Sequence, residues 1–197
     1  MKKKNCYLFV FDGFSDWEAS YATVGIAKSE RFQLRTLALE KKPRKTMGGL
    51  SVNPEFDFIP EVDLDDIHDS NTGLLILPGG DAWLENKNDK IAPLVMHCME
   101  NQIPVAAICG ATVFLSKLGL LDNVPHTSNQ LSYLKAFSPS YGGEPHYRDW
   151  PAARGGNVIT ANGVAPVEFA REIFDILDIG SEERVRSWFR YFEKLTV

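Results

Sequence analysis

One cysteine, Cys109, lies at a position where a thiol could act as a nucleophile. It follows the apolar run Pro104–Ile108 and precedes Gly110, Ala111 and a further apolar stretch. This order predicts a buried strand, a tight turn and then a helix, which is the arrangement that exposes a nucleophile at the end of a sheet. Small neighbours are needed there because the backbone turns sharply with other backbone close by.

The predicted chemistry of the thiol follows from this position. At a helix N-terminus, unpaired N–H groups and the positive end of the helix dipole favour thiolate over thiol. We expect the N–H of Gly110 to point toward an oxyanion formed on a substrate carbonyl. The alternative is that Cys109 is buried and unreactive, because free cysteine often packs as a small apolar side chain.

The other two cysteines have no such setting. Cys6 lies within a predicted core strand, and Cys98 lies in a predicted helix beside His97. Neighbouring residues on a helix do not face each other, so His97 and Cys98 are not expected to form a dyad. Three widely spaced cysteines without a C-x-x-C pair predict neither a disulfide framework nor a zinc site, and we expect no metal or other cofactor.

The elements that must position Cys109 alternate between short apolar runs and longer helical stretches. Strands are predicted at 6–11, 32–38, 73–77, 104–108 and 158–161, helices at 16–29, 91–101, 111–118 and 166–177, and a loop or small hairpin at 41–53. Continuous apolar strands alternating with helices predict an α/β fold with a parallel sheet covered on both faces. Ligand sites in such sheets lie beyond the carboxyl ends of the strands, here after Phe11, Leu77 and Ile108.

The last part of the chain predicts a terminal helix between residues 181 and 195. Its apolar residues recur at helical spacing, at Val185, Trp188, Phe189 and Phe192. We expect this helix to pack on the domain, and a dimer contact is the alternative. The 197 residues are enough for one domain with a sizeable core, and no linker divides them.

Composition and charge exclude several function classes. The formal charge is −5 and no run of basic residues is longer than Lys2–Lys4, so nucleic acid is not an expected partner. The apolar run at 6–11 is too short for a secretory signal, and no run approaches the roughly 20 apolar residues of a membrane span. We therefore predict a cytoplasmic protein with no membrane partner.

Several motifs resemble the PfpI family of the class I glutamine amidotransferase-like superfamily. They are AAICGAT around Cys109, LLILPGG before it and ITANGVAPVEFAREI after it, and FVFDGFSDWEA looks like the family's first strand and acidic turn. The resemblance covers nearly the whole chain in the expected order. It implies a flavodoxin-like three-layer sandwich with a mostly parallel sheet, helices on both faces, and assembly as a homodimer.

The resemblance also implies roles for particular residues. Cys109 corresponds to the family's cysteine, and Glu18 to a carboxylic acid that hydrogen-bonds the sulfur. A protonated Glu18 would stabilise a thiolate or a sulfinate, whereas a solvated acid in the first helical turn is the alternative. The backbone N–H groups of Gly79 and Gly80 would complete an oxyanion hole with Gly110.

The general base is left open by the sequence. Many family members have histidine directly after the cysteine, where this chain has Gly110, and others have it after a Thr–Ser pair, where this chain has Asn129. His126 is then the best histidine candidate, and His146 lies in a Gly-rich loop that could line the pocket. Glu85 lies where some members contribute an acid across the subunit interface.

Two functions from different classes fit these residues, and a third fits less well. The first is a cysteine hydrolase of small-molecule or peptide substrates (a protease, amidase or deglycase) in which Cys109 attacks a carbonyl. The second is a non-hydrolytic stress protein, either an oxidant sensor through Cys109 or a holdase chaperone. The third, a glutamine amidotransferase domain that supplies ammonia to a partner, lacks a convincing late His-x-Glu pair.

Overall fold

The computed structural model describes residues 2–58, 64, 67–180, 187, 188 and 190–192. Its strands are β1 Lys4–Phe9, β2 Phe32–Ala38, β3 Arg44–Lys45, β4 Ser51–Val52, β5 Phe56–Asp57, β6 Thr72–Leu77, β7 Val105–Ile108, β8 Ala152–Gly155 and β9 Val158–Ala161. Its α-helices are α1 Ser20–Ala27, α2 Ala92–Glu100, α3 Gly110–Lys117, α4 Leu131–Phe137 and α5 Pro166–Leu177.

Seven of these strands form one sheet in the order β5-β2-β1-β6-β7-β9-β8. Its neighbouring strands are parallel, apart from the antiparallel pair of β8 and β9. Every residue of β6 and β7 is buried, as expected for central strands that are covered on both faces. The predicted flavodoxin-like α/β fold, with a mostly parallel sheet and helices around it, is confirmed.

Three strands at the centre of the sheet position the site. β1, β6 and β7 are adjacent and parallel, so their carboxyl ends meet at one edge. The chain leaves β1 toward the turn that holds Glu18, leaves β6 into Pro78–Gly80, and leaves β7 into Cys109. The sheet therefore brings together segments that are far apart in the sequence.

The structure differs from the predicted elements mainly in the short ones. β3 and β4 form the hairpin expected within residues 41–53, but β5, β8 and α4 were not predicted. These elements have two, four and seven residues, which is too few for a clear hydrophobic period. The first helix begins at Ser20 rather than Asp16, because residues 16–19 form turns, and Glu18 therefore precedes the helix.

Two aromatic residues of the predicted terminal helix pack on the domain. The ring centroid of Trp188 lies 5.1 Å from that of Phe174, and the ring centroid of Phe192 lies 4.9 Å from that of Tyr21. Val185 and Phe189 lie outside the described residues. In the part of the chain that the structure describes, the helices are all too short or too polar to cross a bilayer.

Candidate active site

Cys109 lies on a strained turn between β7 and α3. Its backbone dihedrals are φ 58° and ψ −125°, a conformation that non-glycine residues seldom adopt and that recurs at functional sites. Its N–H donates to the carbonyl oxygen of Ala161 in β9 at 3.0 Å, which attaches the turn to the sheet. The predicted strand–turn–helix arrangement is present, with the thiol half-buried at the N-terminus of α3.

Glu18 is buried directly beside this turn. Its side chain is only 1% exposed, and its Oε2 accepts the N–H of Gly79 at 2.6 Å. The carboxyl also makes hydrogen bonds with the side chains of Cys109 and Ser15. Burial outweighs these bonds and raises the pKa of Glu18 from its ordinary value of 4.5 to about 7. The alternative of a solvated acid in the first helical turn is therefore wrong.

The sulfur of Cys109 is surrounded by polar groups. Nδ2 of Asn129 donates to Sγ at 3.4 Å, and the N–H of Gly110 donates to the same sulfur. Burial and the charge of Glu18 nevertheless raise the pKa of the Cys109 thiol to about 11. The sequence predicted a lowered pKa; while Glu18 is ionised, burial and its charge outweigh the helix N-terminus.

Glu18 and Cys109 can hold one proton between them. When the thiol proton moves to Glu18, the carboxyl becomes neutral and donates a hydrogen bond to the thiolate. The singly protonated pair then carries one negative charge rather than two in the buried site. This arrangement can supply a thiolate by proton transfer within the pair, without a low pKa of the isolated thiol.

Asn129 and Gly163 enclose the sulfur from the side of β9. Oδ1 of Asn129 accepts the N–H of Gly163 at 2.9 Å, while its amide donates to Sγ. A Cβ at Gly163 would lie 2.9 Å from Sγ and 3.1 Å from Oε1 of Glu18, so no larger residue fits there without a shift. Gly163 was not among the predicted site residues, although it follows a strand at the active edge of the sheet and lies within the motif ITANGVAP.

The three predicted oxyanion-hole glycines all lie at the site, but the N–H groups of Gly79 and Gly110 already have partners. Gly79 donates its N–H to Glu18, which corrects its predicted role as an oxyanion donor. Gly80 lines the cavity at φ 149°, where a Cβ would lie 2.8 Å from the carbonyl oxygen of Gly13. Gly110 also lines the cavity. The N–H of Gly80 is therefore the first candidate for binding an oxyanion. The N–H of Gly110 donates to Sγ of Cys109 and becomes a second candidate once the sulfur has bonded to a substrate.

His126 is fully buried away from the cavity. Its Nδ1 lies 2.8 Å from the carbonyl oxygen of Val124, and its Nε2 lies 2.6 Å from the hydroxyl of Tyr141. Burial lowers the pKa of this imidazole. The prediction that His126 contacts Cys109 as the general base is wrong, because both ring nitrogens are used in hydrogen bonds elsewhere.

The remaining two candidates also lie outside the cavity formed by this chain. His146 ends the 3₁₀ turn Glu144–His146, and its carbonyl oxygen accepts the N–H of His126 at 3.4 Å. The prediction that His146 lines the pocket is therefore wrong, because the cavity beside Cys109 is lined by other residues. Glu85 is exposed and pairs with Lys87, with 2.5 Å between Oε2 and Nζ. Its predicted contact was across a subunit interface and stays a prediction.

A cavity of about 450 Å³ opens beside Cys109, a volume within the range of small-molecule sites. Its lining is formed by Ser15, Trp17, Glu18, Met47, Gly80, Asp81, Cys109, Gly110, Asn129, Tyr133, Asn162, Gly163 and Val164. The structure describes all four histidines of the chain, and none of them lines this cavity.

Known proteins resemble this chain over almost its full length. The profile of the DJ-1/PfpI family matches residues 4–176. "Uncharacterized protease YoaZ" from Bacillus subtilis is 35% identical, covering 96% of this chain and 91% of that protein. The thiJ/pfpI family protein from Bacillus anthracis is 36% identical with a TM-score of 0.86, over 96% of this chain and 90% of that chain. The DJ-1 superfamily protein Atu0886 from Agrobacterium tumefaciens is 30% identical with a TM-score of 0.86, over 98% and 100% of the two chains. Both the sequence and the arrangement of the sheet thus place this chain in the DJ-1/PfpI family.

Proposed function

We propose that this protein is a PfpI-type cysteine hydrolase, a protease, amidase or deglycase, in which Cys109 is the nucleophile. One observation carries the proposal: a thiol on a strained elbow contacts the buried acid Glu18 and opens onto a cavity. The name of YoaZ, an uncharacterized protease, supports the hydrolysis of an amide bond. The substrate is a small molecule or a peptide.

Glu18 takes the acid–base role that was predicted for His126. In the first step Sγ of Cys109 attacks the substrate carbonyl and the thiol proton passes to the Glu18 carboxylate. A pKa of about 7 suits this task, because a group that titrates near the working pH can both accept and return a proton. The N–H groups of Gly80 and Gly110 donate to the oxyanion of the tetrahedral intermediate.

The remaining steps return the enzyme to its first state. Collapse of the intermediate breaks the carbon–nitrogen bond, and the leaving amine takes the proton from Glu18. The product is a thioester on Cys109. Water then attacks this thioester, with Glu18 accepting a proton from the water and returning it to the departing sulfur. The acid product leaves, and both the thiol and the carboxylate are restored.

An oxidant sensor is the second candidate, and the donors around the sulfur favour it. Asn129 and Gly110 donate to Sγ, and a protonated Glu18 would add a third donor. These three groups would stabilise the oxygens of a sulfinate formed by oxidation of Cys109. This function needs neither a histidine nor a substrate carbonyl.

The test compares turnover of a fluorogenic peptide and amide library by the wild-type protein, Cys109→Ser and Cys98→Ala. Cys98 is buried in α2 and serves as the matched control. The proposal expects Cys109→Ser to lose at least about 10³-fold in kcat/KM, and Cys98→Ala to keep its turnover. Equal turnover by Cys109→Ser would overturn the nucleophile. No turnover by wild type, with stoichiometric sulfinate on Cys109 after peroxide, would favour the sensor.

A cytoplasmic location and a homodimer are also proposed, on the sequence and the family resemblance. Sedimentation equilibrium of the full chain tests the dimer. Glu85→Gln then tests whether this acid acts across the interface, since among the described residues Glu85 forms an ion pair with Lys87 of its own chain. A lower kcat/KM in the dimeric variant would support that role, and unchanged kinetics would remove it.

A further inference from the structure

The Cys109 cavity is lined by acids and, among the described residues, by no lysine, arginine or histidine. Its two charged lining residues are Glu18 and Asp81. Asp81 begins the 3₁₀ turn Asp81–Trp83, directly after Gly80, and is exposed at the cavity. A ligand that enters this cavity therefore meets negative charge without a compensating cation.

Among the residues that the structure describes, no cation pairs with Asp81. No ion pair or side-chain hydrogen bond involves Asp81 in the described part of the chain, whereas the nearby Glu85 pairs with Lys87. Its charge also acts inside the cavity. Burial, followed by the charges of Cys109, Asp81 and Glu18, raises the pKa of the lining residue Tyr133 to about 12.

The uncharged part of the lining suits the same kind of ligand. Trp17, Met47 and Val164 line the cavity and are 46%, 48% and 91% exposed, which makes them an accessible apolar rim. The ring faces of Trp17 and Tyr133 attract cations, and apolar side chains accept the hydrocarbon part of a ligand. An amine or guanidinium group on an apolar stem complements this combination.

We propose that Asp81 is a specificity-determining residue that selects substrates with an amine or guanidinium group close to the carbonyl attacked by Cys109. The inference rests on the proposed function, since it names the substrate class of that same site. Carboxylate and phosphate substrates are disfavoured, because both acids of the cavity repel them. Asp81 acts on binding, and the bond-forming steps stay with Cys109 and Glu18.

The test measures the charge preference of the site without requiring turnover. Two methanethiosulfonate reagents, one with a trimethylammonium group and one with a sulfonate group, are reacted with the native protein. Each transfers its thiol part to Cys109 as a disulfide and releases methanesulfinate. Cys6 and Cys98 are 0% and 1% exposed, and Cys109→Ala gives their background rate. The ratio of the two rates reports the field at the thiol, because the thiolate fraction is common to both.

Two variants separate the local charge from the charge of the whole protein. Asp81→Asn removes the proposed charge, and Asp89→Asn removes an exposed acid from the next 3₁₀ turn, outside the cavity. We expect Asp81→Asn to reduce the cation-to-anion rate ratio by about fivefold or more, and Asp89→Asn to leave it nearly unchanged. High salt should reduce the wild-type ratio, since screening weakens the exposed charge.

The possible results distinguish the proposed role of Asp81 from the proposed role of Cys109 as the nucleophile. A ratio that is equal in wild type, Asp81→Asn and Asp89→Asn overturns the role of Asp81, and so does a faster reaction of the anionic reagent. If Asp81→Asn does not fold, a salt-independent wild-type ratio overturns the proposal in its place. A Cys109→Ser protein with full turnover would remove the nucleophile instead, while the reagent ratio would still report the charge preference.

Discussion

The backbone of Gly163 lies against the side chain of Cys109, so closely that a Cβ on the glycine would be 2.9 Å from Sγ. Asn129 maintains this contact, because it accepts the N–H of Gly163 and donates to the sulfur. The space around the candidate nucleophile therefore depends on one absent side chain. The loops that hold Asn129 and Gly163, which are 34 residues apart in the sequence, together form this space.

Gly163→Ala tests this contact directly. The added methyl group must displace the sulfur of Cys109 or the carboxyl of Glu18, and we expect alkylation of Cys109 by iodoacetamide to slow by about tenfold. Mass spectrometry of the native protein gives the rate. Gly142→Ala is the control, because the nearest atom to its Cβ is 3.5 Å away in Asp122, an ordinary contact. Equal rates in both variants would show that the site tolerates the methyl group.

Glu18→Gln should change how Cys109 reactivity depends on pH. In the wild type the pair loses its first proton near pH 7, where Glu18 titrates, so the alkylation rate should rise through that pH. In the variant this step disappears. The thiol then titrates once, with a pKa below 11, because the charge of Glu18 no longer raises it. The measurement is the iodoacetamide rate between about pH 5 and about pH 11.

The control for this profile is Glu30→Gln, which changes an exposed acid outside the cavity. Its profile should match that of the wild type. A step near pH 7 that persists in Glu18→Gln would mean that another group titrates beside the thiol. The proposed proton transfer between Glu18 and Cys109 would then be wrong.

The raised pKa of Glu18 should also make the stability of the folded protein depend on pH. The pKa of Glu18 rises from 4.5 in the unfolded chain to about 7 in the folded one, so its contribution is fully present below pH 4.5 and is lost as pH rises through 7. The unfolding free energy of Glu18→Gln minus that of the wild type should therefore increase by about 3 kcal/mol as the pH rises from about 4 to about 8. Urea unfolding at several pH values measures this. A difference that is constant with pH would contradict it.

His126→Gln should separate stability from reactivity. The variant disturbs the bonds of His126 with Val124 and Tyr141, and we expect a loss of about 1–3 kcal/mol in unfolding free energy. The alkylation rate of Cys109 should stay within about twofold of the wild type, since His126 does not line the cavity. Asn129→Ala is the comparison, because losing its donor to Sγ should slow alkylation. A large loss of reactivity in a stable His126→Gln protein would restore this histidine as the base.

The fold was predictable because its central strands are continuous apolar runs. β6 and β7 are buried along their whole length, and this burial requires the residue types from which the strands were identified. Cys109 was identifiable for the same reason, since it directly follows such a strand. The two-residue strand β5 and the edge strand β8 have no comparable pattern, because edge positions and short pairings place few demands on side chains.

The remaining site features depend on contacts that sequence spacing does not encode. His126 and Asn129 are three residues apart in an irregular segment, and only the backbone path decides that Asn129 faces the sulfur. The N–H of Gly79 is used by Glu18, a partner 61 residues away. Gly163 was not predicted because it matters through the side chain that it lacks. That need can be recognised only from a structure in which Cys109 lies beside it.

The wide spacing of these contacts has a consequence for the newly made chain. Glu18 pairs with a group 61 residues later, and the contacts of Asn129 span 20 residues to Cys109 and 34 residues to Gly163. Contacts between distant segments form only after the intervening chain is available. On the ribosome, the site therefore cannot assemble until Gly163 has emerged. Until then Cys109 lacks the backbone of Gly163 that encloses its sulfur, and Asn129 lacks the N–H group that holds its amide in place.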